Sequence, residues 1–117
     1  MNEDSDIRRG DVVIVRLDPA EGHEMKKTRP AVVVQNDIGN RNSSTTIVAP
    51  ATGTHRGYPF EVRVEADDSP FEKDSSIRLD QIRVVSIERR IHSVAGRLDD
   101  AAMREVDDAL KLSLGLE

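Results

Sequence analysis

The chain has 117 residues, with 17 Lys and Arg against 22 Asp and Glu, a net charge of −5. That is the length of one domain, and an acidic balance argues against general, charge-driven nucleic-acid binding, which needs clustered cations. There is no cysteine, which excludes disulfides, thiolate metal sites and cysteine nucleophiles, and no apolar run reaches the roughly 18 residues of a membrane span. Val and Ile number 21 against seven Leu; β-branched side chains suit pleated surfaces, so a strand-rich domain is expected. Met1 is followed by acidic residues rather than a basic leader, and the expected location is the cytoplasm.

Residues 1–9 are polar and charged, with 1–8 read as flexible within a single domain spanning 1–117. The strands fill 9–97 and a helix 99–115. Asp11–Leu17 (DVVIVRL) reads as the first strand. Asp18–Arg29 lacks hydrophobic periodicity and contains Pro19 and Gly22, so it reads as a loop. Pro30–Gln35 (PAVVVQ) is an apolar run of strand length, expected to be buried on both faces. Asn36–Ser44 is dense in turn formers. Thr45–Pro50 reads as a third strand, Ala51–Pro59 as a loop, and Phe60–Val64 (FEVRV) as a strand with one wet face. After a loop at Asp67–Asp74 come strands at Ser76–Leu79, Ile82–Ile87 and His92–Arg97. Met103, Val106, Leu110 and Leu114 then recur at helical spacing, predicting a helix from Asp100 to Gly115 with Asp99 as its N-cap. Six or seven short strands and one terminal helix suggest a small, partly open β-barrel with the helix packed on it.

Common catalytic signatures are missing. There is no P-loop, dinucleotide fingerprint, nucleophile-elbow serine or metal-binding His/Glu helix, and His23, His55 and His92 are scattered. No metal or cofactor is expected. Charge is uneven: residues 1–60 balance at eight against eight, and the whole acidic excess lies in 61–117. A local basic site in the first half therefore stays open. The loops Gly22–Arg29, Asn36–Ser44 and Thr52–Tyr58 are unusually polar. If the first three strands are neighbours, the first and last of these loops share one end of the sheet. Arg29 with Thr52 and loop amides is a phosphate-binding set, because a guanidinium offers paired donors to two oxygens. By residue type alone, the favoured reading is Arg29 as an ordinary surface cation and Thr52 as a turn cap, since most loop arginines are solvated.

A resemblance bears on that choice. Arg9-Gly10-Asp11-Val12-Val13, Arg29 through Asp37 (RPAVVVQND), Ile47 through Thr52 (IVAPAT), Gly57 through Val62 (GYPFEV) and Asp80-Gln81-Ile82-Arg83 occur in the order seen in the MazF/PemK toxin family. The ending, Glu105 through Leu110 and Ser113 through Leu116, resembles its Gram-positive branch. The likeness implies a mainly β fold with a C-terminal α-helix, an SH3-like small β-barrel. It implies the toxin of a toxin–antitoxin pair: a homodimeric, metal-independent endoribonuclease that cuts single-stranded messenger RNA at short sequences and is held by a cognate antitoxin. The family's catalytic arginine and threonine fall on Arg29 and Thr52, and an acidic residue of its first loop falls on Glu24. Positions where relatives touch RNA fall on Asn36, Asn40, Arg41, Asn42, Asp80 and Gln81. His23, Met25, Lys26 and Lys27 around Glu24, and Thr54 and His55 beyond Thr52, are expected to line the RNA, the lysines adding phosphate attraction. Glu24 and His55 are both candidates for the general base. Alternatives are a non-catalytic gyrase poison resembling CcdB, which needs neither Arg29 nor Thr52, and a module that binds nucleic acid or antitoxin without activity.

Overall fold

The computed structural model describes residues 7–116; most of the stretch expected to be flexible, residues 1–6, lies outside them. The Val- and Ile-rich runs form strands β1 (Asp11–Arg16), β2 (Thr28–Val33), β3 (Thr45–Thr52), β4 (Glu61–Val64), β5 (Ser75–Arg78), β6 (Arg83–Ser86) and β7 (Ile91–Arg97). Helices are α1 (Asp37–Asn42), the single turn α2 (Ile87–Arg90) and α3 (Asp100–Leu114). The strands form one sheet in the order β4-β5-β3-β2-β1-β7, and β6 joins it on β3 alone. Every pairing is antiparallel. The sheet curls like a barrel but does not close, since β4 and β7 are not joined to each other.

β3 is the hinge of this arrangement. One edge pairs with β2, while the other serves β6 from Thr45 to Val48 and β5 at Ala51 and Thr52. Pro50 stands where the partner changes, a place where a residue without an N–H costs the ladder least. Successive residues of the central strands feed two apolar clusters. Val12, Val32, Ala49, Ala51 and Ile77 belong to one, and Val13, Val15, Ala31, Val33 and Val48 to the other. This is the two-sided burial expected of PAVVVQ.

Asp99 caps α3 by accepting from the Ala102 N–H at 2.8 Å, and Gly115 ends the helix in the left-handed region. The helix packs through Val106 and Ala109, with Met103 and Leu110 partly buried. Leu114, expected on the buried stripe, is instead exposed. The last turn is tied at Ser113, whose hydroxyl donates to the Leu79 carbonyl at 2.9 Å.

Four further expectations are corrected. Residues 7–9 are not frayed: Ile7 is buried, and the Arg9 N–H donates to Asp37 at 2.7 Å. The turn-forming stretch after β2 contains a helix, α1, because Asn36 caps it through Gly39 and Asn40 braces it from within. Phe60, on the apolar face of the alternating FEVRV strand, is only half-buried and stacks on Tyr58 with ring centres 4.9 Å apart. Glu61, read as facing water, is buried.

Candidate active site

β2 begins two residues before the expected strand and β3 runs two beyond it, so Arg29 and Thr52 lie in strand rather than in loop. The β2–β3 register pairs Ala31 with Pro50 and Val33 with Val48. The ladder stops there, and continued for two more residues it would set Arg29 across from Thr52. Opposed residues of a ladder project from the same face about 5 Å apart. Both residues also line one cleft of about 730 Å³, together with Ile14, Pro30, Phe71, Lys73 and Ser75.

Local backbone geometry holds the arginine. Lys27 adopts a left-handed φ of 74°, uncommon for a residue with a β-carbon. The loop there is pinned by the Lys27 carbonyl, which accepts from the Leu17 N–H at 2.8 Å. The Lys26 carbonyl accepts from Arg29 Nε, also at 2.8 Å. Among the described residues, the two terminal nitrogens of Arg29 have no hydrogen-bond partner, which leaves four N–H donors for an anion. Thr52 Oγ1 accepts from the Thr54 N–H at 3.3 Å and keeps its own hydrogen to donate. A guanidinium and a hydroxyl can together hold a phosphate.

The other expected site residues fall into three groups. His23, Glu24, Met25, Asp80 and Gln81 line a second hollow of about 500 Å³ with Pro50. Pro50 is two residues from Thr52 and so on the same face of β3, which puts this hollow beside the Arg29–Thr52 pair. Its walls are internally braced: Gln81 accepts from the Met25 N–H at 3.1 Å and donates to the His23 carbonyl at 3.4 Å. Glu24 accepts from the Glu21 N–H at 2.7 Å. Asp80 takes both arms of the Arg78 guanidinium, at 2.8 and 2.7 Å, and this fork holds Arg78 more firmly protonated than usual.

Asn36, Asn40, Arg41 and Asn42 lie on or beside α1, next to the start of β3. Eight strand residues separate that end from Thr52, roughly 25 Å, so the structure does not bring them to Arg29 within one chain. Asn40 cannot meet a ligand at all. It has no exposure, donates to the Gln35 carbonyl and to Asp37, and accepts from Gln35 and Thr46. Asn42 donates to the Ile38 carbonyl at 2.8 Å and remains exposed, as does Arg41.

Thr54 and His55 form the third group, on the loop between β3 and β4. That loop is shaped by Glu61, whose Oε2 accepts from the N–H groups of Arg56, Gly57 and Tyr58 at 3.1, 3.0 and 3.3 Å. Sequence reasoning passed over Glu61, Lys73, Ser75 and Ser76. Alternation in FEVRV pointed Glu61 outward, and nothing in the chain's order ties Lys73 to Arg29.

Comparison with known proteins gives the family and the fold. The family described as PemK-like, MazF-like toxin of type II toxin–antitoxin system matches residues 8–114. Endoribonuclease EndoA of Bacillus subtilis (strain 168) is 43% identical over 112 residues, covering 94% of this chain and 96% of that protein. MazF of Deinococcus radiodurans superposes with a TM-score of 0.80 at 25% identity, over 93% of this chain and 96% of that one. A mycobacterial endoribonuclease, solved in complex with its cognate antitoxin, shares the fold with a TM-score of 0.80 at 23% identity, over 95% and 97% of the two chains.

Proposed function

Because this chain belongs to the PemK-like, MazF-like toxin family and is an endoribonuclease toxin of a type II toxin–antitoxin system, we propose that it cuts single-stranded messenger RNA with the scissile phosphate held between Arg29 and Thr52. One observation carries the assignment: Arg29 and Thr52 line one cleft, and the outer nitrogens of Arg29 have no partner among the described residues.

The ribose 2′-oxygen attacks the adjacent phosphorus, giving a 2′,3′-cyclic phosphate and a 5′-hydroxyl. Charge grows on the non-bridging oxygens as the bond forms. Donors already aimed there stabilise that charge more than the ground state, which lowers the barrier. Arg29 supplies paired N–H groups and Thr52 a hydroxyl that orients the phosphate. Arginine stays protonated in water, so Arg29 acts as an electrophile and not as a base. The hollow bounded by Glu24, Met25 and Gln81 is placed to receive a neighbouring base. Bases splayed from a single strand are read there by hydrogen bonds, given the few exposed aromatic rings. No metal takes part in this scheme.

The toxin works where messenger RNA is, in the cytoplasm, and two copies related by a two-fold axis would present two equivalent sites. Its antitoxin silences it by laying an acidic, flexible segment over the same cations, folding as it binds. No helix among the described residues is long and apolar enough to cross a membrane.

The test is incubation of purified protein with a long single-stranded RNA in EDTA. Discrete fragments with cyclic-phosphate ends are expected. Arg29→Ala should lower the single-turnover rate by about 10²–10³-fold, the usual effect of deleting one charge-stabilising donor, and Thr52→Ala should also slow it. RNA left intact by the unaltered protein, with gyrase stalled instead, would replace this reading with that of a poison.

A further inference from the structure

We propose that His55 is the residue that moves the proton in this cleavage, and that Glu61 and Ser76 are the positioning residues that hold its ring. The proposal rests on the nuclease reading above, which leaves the reaction with two donors and no base.

The sheet brings His55 to the place where it is needed. Thr52 pairs directly with Ser76 across β3 and β5, so the two side chains project side by side on one face. The loop leaving Thr52 turns back over this pair and puts His55 Nδ1 3.1 Å from Ser76 Oγ and 3.4 Å from Glu61 Oε2. The imidazole thus lies one side chain away from Thr52. Glu24, the other candidate base, lines the neighbouring hollow and spends a carboxylate oxygen on its own turn.

The same contacts decide the tautomer. The Glu61 side chain has no exposure, and its Oε2 also accepts the three loop N–H groups. Among the described residues its Oε1 has no hydrogen-bond partner, and it lies 3.7 Å from Arg78 Nε. An ionised carboxylate only accepts. A bare nitrogen lone pair 3.4 Å from it would be repelled, so Nδ1 carries the hydrogen and Nε2 the lone pair. Nε2 sits across the ring, away from Glu61, and the side chain keeps 35% of its exposure. A buried carboxylate behind an imidazole with its far nitrogen open is the arrangement that orients a general base. Imidazole is the side chain most often used for general acid–base catalysis.

In the step itself, the Nε2 lone pair takes the 2′-hydroxyl proton as the O2′–P bond forms. The P–O5′ bond breaks, and O5′ takes a proton from water. The imidazolium returns its proton to the hydroxide left behind, so histidine and water are both regenerated.

The experiment compares single-turnover cleavage of one RNA by the unaltered protein, His55→Ala, His55→Gln and Glu61→Gln, with RNA affinity and thermal melting measured alongside. His55→Ala should cleave about 10²-fold more slowly, a common contribution of one acid–base group, with affinity little changed, and added free imidazole should restore much of the rate. His55→Gln keeps an amide donor toward Glu61 and Ser76 but cannot exchange a proton, so it should be as slow as the alanine variant without losing stability. Glu61→Gln should slow cleavage less. Full activity in His55→Gln overturns the proposal, and so does a loss in His55→Ala that imidazole leaves unrepaired. Failure of the unaltered protein to cut RNA is a separate result, and it removes the nuclease reading itself.

Discussion

Asp37 shows how one side chain can serve as both connector and titrating group. Its Oδ1 accepts the Arg9 N–H at 2.7 Å and an Asn40 N–H at 3.2 Å, tying the start of the chain to α1. The bond from the Arg9 backbone is the main reason its pKa falls below the ordinary value, with Asn40 and the Arg41 and Arg97 charges adding to it against some desolvation. A carboxyl whose pKa is lowered by folding stabilises the native state above its unfolded value of about 3.9 and stops doing so as pH drops through the folded value. Asp37→Asn should therefore lose about 1 kcal/mol of stability at pH 7. The gap to the unaltered protein should close as pH falls below about 4. Urea midpoints at pH 7, 5 and 3 check this; a gap that stays constant across that range contradicts it. Asn40 illustrates the other side of residue-scale reading. Its type suits a base edge as well as a backbone brace, and only its burial, with both ends of the amide engaged, separates the two.

At the scale of elements, short pieces survive here only because others hold them. α1 has six residues, too few to form alone. It persists through the Asn36 cap, the Asn40 brace and the anchor to Arg9. The segment walling the cleft is set in a comparable way by β7. A β-carbon on Gly96 would stand 2.7 Å from Pro70 Cβ and 2.8 Å from its Cγ, closer than any real contact. Pro70 and the next three residues line the same cleft as Arg29 and Thr52. Gly96→Ala should thus push this wall outward, costing about 1–3 kcal/mol as overpacking does and slowing RNA cleavage without touching a site residue. Denaturant unfolding and cleavage assays on the same preparation measure both effects. Unchanged stability would mean that the wall yields freely.

For the whole molecule, charge is the property that matters. A body of net charge −5 repels RNA at long range, so attraction has to come from a local cluster. Lys26 and Lys27 are exposed and lead directly into Arg29. If they neutralise phosphates, affinity for single-stranded RNA should fall with salt at a slope of about 0.7 per phosphate contact. Replacing both with alanine in a Thr52→Ala background should then flatten the log–log slope by about 1–1.5. Fluorescence anisotropy at several salt concentrations reads this directly. A slope unaltered by the double replacement would remove the two lysines from the RNA path.

Local chemistry in the sequence determined the strands of β-branched residues, the helix from Asp100 with its Asp99 cap, and the family, because each depends on residues close together or on their order along the chain. What only the tertiary structure decided is who faces whom. Arg29 and Thr52 are 23 positions apart and come to line one cleft because β2 pairs with β3, in a register set by which face of each strand is buried. Glu61 looks like a surface residue in an alternating strand, yet it is buried because a loop folds three N–H groups onto one oxygen and β5 brings Arg78 near the other. A buried charge needs partners from elsewhere in the chain, and those partners are invisible until the chain has folded.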